Sequence, residues 1–398
     1  MKPEAIRCQN DLQLYNTLLT YPDVIKVNEM IARHEEKGPT GLRRHLLATS
    51  VRLSKGMAPD VHRMADECIE TLQMDIPLEL YVYPSPQFNA MCFKPEEGRL
   101  HVMFSSSLLE GFKDDELKFV IGHELGHHVY KHHDLPIGYL LKGEAPVGPR
   151  LALELFAWSR YAEISADRAG AHCAQNLDAV ARALFKLASG LTGSLVQFDL
   201  QDFLKQVNEM QLVDAEPGQG APKQDWFSTH PFSPMRVKAL ELFDQSELGN
   251  GTLSKDDLEV AVQGVMSLME PSYLEGQTKT AIHMRRLLFA ASLCVADASD
   301  GISDDEIKAF EAFFGKGEFD KNLNLEQLKI TLDERIKTAK ELASTPQLMQ
   351  VMRDLCTMSR ASGHTTEAER DVMNEIADKL GVPRSFICQA LAQAVEPD

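Results

Sequence analysis

The run Asp114-Asp115-Glu116-Leu117-Lys118-Phe119-Val120-Ile121-Gly122-His123-Glu124-Leu125-Gly126-His127-His128 places Leu117, Val120, Ile121 and Leu125 at helical spacing, and the pattern extends to His133. Two histidines four apart on a helix project from one face, about 6 Å apart along the axis. Both imidazoles can then reach one Zn²⁺. A glutamate between them lies beside the metal, where it can take a proton from a bound water. Gly122 and Gly126 let another element approach this helix closely. His128 is rotated about 100° from His127 and cannot share its metal without distortion. His132 and His133 continue the same helix, with His132 packing beneath the site, and none of the three is expected to be a ligand.

A catalytic zinc needs a third protein ligand, and downstream stands Tyr161-Ala162-Glu163-Ile164-Ser165-Ala166-Asp167. Glu163 and Asp167 are four apart on a helix, so both carboxylates face one way. One suits the metal; the other suits a hydrogen bond from a ligand histidine, which fixes the imidazole tautomer. Ala162, Ala166, Ala169, Gly170, Ala171 and Ala174 on this helix fit tight packing. Ser228-Thr229-His230-Pro231, with Arg236 six residues after the histidine, is a loop before a helix.

Working outward, residues 11–75 read as helical, with a break at Gly38-Pro39-Thr40-Gly41. Leu78–Tyr83 alternates with period two, and Asn89–Phe93 and Leu100–Phe104 are two more short strands joined by a turn at Glu96-Glu97-Gly98. The result is a small sheet, antiparallel at that hairpin. Asp134–Pro149 is a loop, a helix spans about Leu151–Gln175, Glu216–Gln224 is a second loop, and Gly249-Asn250-Gly251 marks a further break. The fold class is α+β, with an all-α bundle after it.

These motifs together resemble the zinc metallopeptidase family of HtpX and the CAAX prenyl proteases, in the gluzincin clan. Asn89-Ala90, His-Glu-Leu-Gly-His, Glu-x-x-Ala-Asp and Thr-His-Pro followed by Arg stand in the expected order over roughly residues 60–245. The resemblance implies one zinc per chain held by His123, His127 and Glu163, with Glu124 as general base. It implies that Asp167 orients a ligand histidine and that His230 and Arg236 lie near the site, His230 stabilising the developing oxyanion. The strand at Asn89 and Ala90 would take an extended peptide as an added strand.

Those familiar relatives are integral membrane proteins, whereas no stretch here approaches the ~20 apolar residues that span a bilayer. The chain therefore resembles soluble members of the family. The first residues lack the apolar run of a signal peptide. Seven cysteines scattered without a CxxC pair fit buried thiols in a reducing compartment, so the expected location is cytoplasmic. A net charge of −18 on 398 residues disfavours nucleic acid as a partner, because phosphate backbones are repelled. With 44% apolar residues, the chain can bury sizeable cores in two or three domains.

Residues 281–394 carry a weak repeat at an offset of 62. Cys294–Ser303 matches Cys356–Thr365, each followed by a capping box at Ser303-Asp304-Asp305-Glu306 and Thr366-Glu367-Ala368-Glu369. The segment Ala-Asp-x-x-Asp-Gly-x-Ser and the closing Lys379-Leu380-Gly381-Val382-Pro383 resemble the TerB-like (tellurite-resistance) helical domain. Asp297, Asp300, Asp304 and Asp305 are a weak candidate cation site; helix capping explains them better.

The expected domains are a helical region over 1–75, the metallopeptidase over 76–248, a helical linker over 249–280 and a TerB-like domain over 281–398. The expected function is a zinc endopeptidase of cytoplasmic protein quality control or stress response, acting on peptides or unfolded proteins. The alternative is a catalytically silent zinc-binding scaffold, with the TerB-like part as a partner- or metal-binding module.

Overall fold

In the computed structural model, four strands form one mixed sheet in the order β1-β2-β4-β3: β1 Val51–Leu53, β2 Leu78–Tyr83, β3 Ala90–Cys92 and β4 Leu100–Ser105. The structure describes residues 2–36, 38–142, 147, 149–193, 195–214, 228–269, 273, 279–299, 302–314, 325–360 and 365–392. β3 pairs antiparallel with β4, as the hairpin predicts, while β2 and β4 run parallel with Leu78 opposite Leu100 and Tyr83 opposite Ser105. β1 lies inside the stretch read as helical. Val51-Arg52-Leu53 follows Ser50, which ends a helix, and pairs antiparallel with Leu80–Val82. Three residues are too few to show a period, so pairing with β2 rather than local pattern makes this strand.

The chain divides into two compact units, residues 1–207 with 227–259, and residues 208–226 with 260–398. The first unit therefore runs about ten residues past the break at Gly249–Gly251. Its elements before the sheet are α1 Pro3–Ile6, α2 Gln9–Leu18, α3 Pro22–Glu35 and α4 Leu42–Thr49, with α5 Pro59–Thr71 between β1 and β2. After the sheet come α6 Ser106–Gly111, α7 Asp114–Val129, α8 Ile137–Lys142, α9 Pro149–Ala174 and α10 Leu177–Ser189. A helix at Ser233–Asp244 follows later. The core joins Leu80, Val102 and Phe104 of the sheet to Leu117, Val120, Ile121 and Leu125 of α7.

α7 and α9 pack closely because small residues meet at their contact. A Cβ on Gly126 would stand 2.9 Å from the Ala169 Cβ, and a Cβ on Gly170 would stand 2.5 Å from the Phe119 carbonyl oxygen. Larger residues at either place would hold the helices apart.

Two expectations about the segment after α7 change. The helix does not continue to His133: it ends at Val129, Lys131 takes a left-handed φ of 59°, and His132–Asp134 form a 3₁₀ turn. The stretch Asp134–Pro149 is not all loop, since α8 occupies its middle. Pro136 fixes its own φ and its carbonyl accepts from the Leu140 N–H, so it opens the helix. Leu140 is buried with Tyr15, Leu18, Leu155 and Trp158. The expected loop Glu216–Gln224 lies outside the described residues.

Among the described residues the regular elements of the second unit are all helices, around a core that includes Met284, Leu287, Leu288, Phe310, Met352, Leu355 and Ile376. Both capping boxes form. Ser303 Oγ and Glu306 exchange bonds at the start of the helix Asp304–Phe314, and Thr366 and Glu369 do so at Glu367–Leu380.

Candidate metal centre

α7 carries His123 and His127 one turn apart, and α9 presents Glu163 opposite them. The Nε2 atoms of the two histidines stand 3.2 Å apart. His123 Nε2 lies 3.5 Å from Glu163 Oε2, and His127 Nε2 lies 3.4 Å from Glu163 Oε1. A tetrahedral zinc with bonds of about 2.0–2.2 Å separates its donors by about 3.3–3.6 Å. The two imidazoles meet different oxygens of Glu163 at close to that separation, so the three side chains lie within reach of one ion. Glu163 Oε2 is buried and accepts no hydrogen bond; a metal ion beside it would complete what the Arg236 guanidinium at 3.5 Å supplies only by charge. Among the described residues, no other group of three or more His, Cys, Asp or Glu side chains has this closeness.

The charges around the triad are balanced. Burial pushes the Glu163 carboxyl up, but His230, His127 and His123 together hold it well below its usual range. Burial pushes His127 down, and Glu163 beside it more than compensates. Glu124 is buried on the same helix. Burial raises the Cys92 thiol, and the negative Glu124 raises it further, which places β3 alongside Glu124.

His123 Nδ1 bonds Asp167 Oδ1 at 2.9 Å. Arg236, from the helix Ser233–Asp244, clamps the same carboxylate, donating from Nε at 2.8 Å and from a terminal nitrogen at 2.6 Å. Burial alone would raise the Asp167 carboxyl; Arg236 and then His123 hold it down. The same guanidinium stands 3.5 Å from Glu163 Oε2. His230 Nε2 is 3.4 Å from Glu163 Oε1, with a side chain 62% exposed. α9 fixes the approach of its loop, since Ser159 Oγ donates to the Thr229 carbonyl and Arg160 to the Ser228 carbonyl.

Asn89 and Ala90 sit at the sheet edge. Asn89 exchanges bonds with Ser105 and donates from its side chain to the Tyr83 hydroxyl at 3.1 Å, and Ala90 opens β3 opposite Phe104. The second support of the site includes His132, expected beneath it, and Asp11, which sequence reading missed. His132 Nδ1 meets His127 Nδ1 at 2.8 Å, and His132 Nε2 meets Asp11 Oδ2 at 3.2 Å. Nothing in the helical pattern of residues 11–19 marks Asp11. The signal for His132 was the second His-His pair, obscured by reading the helix as continuous.

Among the described residues of the acidic segment in the second unit, no group of three carboxylates is brought together. Asp297 is paired with Lys329 at 2.8 Å, Asp305 with Lys308 at 2.7 Å, and Asp304 opens the first turn of its helix. Asp300 lies outside the described residues. No described helix is long and apolar enough to cross a membrane.

Peptidase family M48 matches residues 56–142 and 147–243, and Tellurite resistance protein TerB matches residues 285–391. The plastoglobule-localized metallopeptidase 48 of Arabidopsis thaliana is 28% identical over 230 residues, 55% of this chain and 67% of that protein. A protease HtpX homolog of Helicobacter pylori strain J99 is 33% identical over 75 residues, 19% of this chain and 24% of that protein. The Shi470 strain's homolog gives the same figures. No solved structure matches the chain. The family matches follow the motif order along the sequence, and the chain carries a metallopeptidase domain of family M48 followed by a TerB domain.

Proposed function

We propose that the first unit is a zinc endopeptidase in which His123, His127 and Glu163 hold one zinc and Glu124 is the general base. The observation that carries this is the set of three donor spacings, 3.2, 3.4 and 3.5 Å, beside a buried glutamate. A zinc held by these residues would supply the Lewis acidity that acidifies a water and polarises a carbonyl oxygen. Glu124 takes the proton of the attacking water and returns it to the leaving amine nitrogen. His230, exposed at the mouth of the site, donates to the oxygen on which negative charge develops. Asp167 fixes the His123 ring, and Arg236 fixes Asp167.

The substrate is an extended peptide or unfolded segment that adds to the edge strand β3 beside Asn89 and Ala90. β3 pairs only with β4 among the described strands, so its outer edge has backbone groups to offer. The seven cysteines are all unpaired, which supports a reducing, cytoplasmic setting and a role in protein quality control or stress response. The TerB domain serves as a partner-docking module.

Metal analysis and casein cleavage on wild type and Glu124→Gln test the reading. Wild type should bind one zinc per chain and cleave; Glu124→Gln should bind zinc and not cleave. Zinc without cleavage in the wild type would favour the scaffold alternative, and full activity in Glu124→Gln would reject the base.

A further inference from the structure

We infer that His132 and Asp11 form an outer support for His127, holding its ring so that Nε2 faces the metal, which makes Asp11 of α2 a positioning residue of the metal centre. The inference rests on His123, His127 and Glu163 being the zinc ligands.

Donor and acceptor bookkeeping fixes every proton in the chain of contacts. Asp11, as a carboxylate, only accepts. His132 Nε2, 3.2 Å away, therefore carries the hydrogen. As a zinc ligand through Nε2, the atom that faces Glu163 and His123, His127 carries its one hydrogen on Nδ1. It donates that hydrogen to His132 Nδ1 at 2.8 Å, so a neutral His132 accepts at Nδ1 and donates from Nε2 to Asp11.

The whole chain of contacts is enclosed, with Asp11 and His132 both buried. The carboxylate is also held firmly in place. It accepts from Arg7 Nε at 2.7 Å and a terminal Arg7 nitrogen at 3.1 Å. Trp158 Nε1 donates at 2.9 Å and Ser165 Oγ at 2.7 Å. With His132 that makes five donors on roughly four lone-pair sites. The backbone around it is tied down as well: Cys8 N donates to Ser165 Oγ at 3.1 Å, and Gln9 N donates to Glu259, itself paired with buried Arg168.

A buried His–Asp pair that merely stabilises the fold would show the same contacts, so the test reads the metal rather than the fold. Zinc affinity by chelator competition and the visible spectrum of the Co²⁺-loaded protein are measured on full-length wild type, His132→Gln and His132→Met. Gln and Met have similar volume, but only Gln keeps an acceptor for His127 and a donor for Asp11. His132→Met should weaken zinc binding about 10–100-fold and shift the Co²⁺ bands. His132→Gln should stay within about threefold of wild type. Equal affinities and spectra for Met, Gln and wild type would overturn the inference. If His132→Met does not fold, Trp158→Phe removes one donor to Asp11 and keeps an aromatic ring. It should weaken zinc binding several-fold, and unchanged affinity there overturns the inference. Failure of the zinc reading is separate, because wild type would then bind no zinc or His123→Ala would bind it equally well.

Discussion

His123 passes its outer ring nitrogen directly to a carboxylate, Asp167. His127 passes its own to a second imidazole, and the carboxylate Asp11 stands one step further out. Both carboxylates end on an arginine fork, Arg236 for Asp167 and Arg7 for Asp11. The difference follows from packing. α9 lies close against α7 through Gly126, Gly170 and the alanines, so its Asp167 reaches His123 unaided. α2 packs on α9, and its Asp11 reaches α7 only through the ring of His132. One kind of support is built by helix contact and the other by a spacer.

The largest effect should come from a residue that neither support touches. Glu124→Gln should lower kcat/KM by roughly 10²–10⁴ while zinc stays bound. Loss of zinc in that variant would show that the base and the ligand supports are not separable.

Next come the two arginines. Arg236→Met leaves Asp167 buried with His123 as its remaining hydrogen-bond partner, and should cost roughly 3–5 kcal/mol. Arg7→Met leaves Asp11 with His132, Trp158 and Ser165, and should cost about 1–2 kcal/mol. Urea unfolding of the metal-free protein measures both. Equal costs would mean that the extra donors on Asp11 do not share its charge.

Gly170→Ala tests the contact side alone. Its new Cβ would meet the Phe119 carbonyl oxygen at 2.5 Å, so α7 and α9 must part, at about 1–3 kcal/mol. Thermal unfolding should fall accordingly, and an unchanged midpoint would show that the helices have slack.

The smallest effect is a pH slope from the spacer side. Burial, then the neighbouring His127, pushes His133 down from 6.5 to about 4. As pH falls, the unfolded chain binds this proton first, so the contribution is full above pH 6.5 and is lost progressively toward pH 4. His133→Gln should flatten the slope of stability against pH in that window by about 1 kcal/mol in total, after allowing for its partial exposure. The same slope in both proteins would remove His133 as its source.

The legible parts of this molecule were those whose partners lie at helical spacing or on one strand. His123 with His127, and Glu163 with Asp167, are four apart, and the strands Leu78–Tyr83 and Leu100–Ser105 show their own composition. The small residues of α7 and α9 announced close packing. Legibility failed where a residue's role depends on a distant element. β1 exists because β2 offers an edge, and Asp11 lies 121 positions before His132. It also failed at the end of α7, because the apolar period gives no sign of a left-handed residue that L side chains adopt at modest cost.

Lys131 turns the path of the chain at a single torsion. On a helix continued past Val129, a side chain five positions after His127 would point about 140° away from it. With φ at 59°, the chain doubles back and lays that ring against the ligand. The spacing His-x-x-x-x-His is thus meaningless as a helical pattern and meaningful as a helix plus a stop. A related sequence with a β-branched residue at this place, where positive φ is strained, would have to find the far side of its histidine another neighbour. Position 131, with no side chain in the metal centre, would then decide whether a chain with the same ligands is wired to α2.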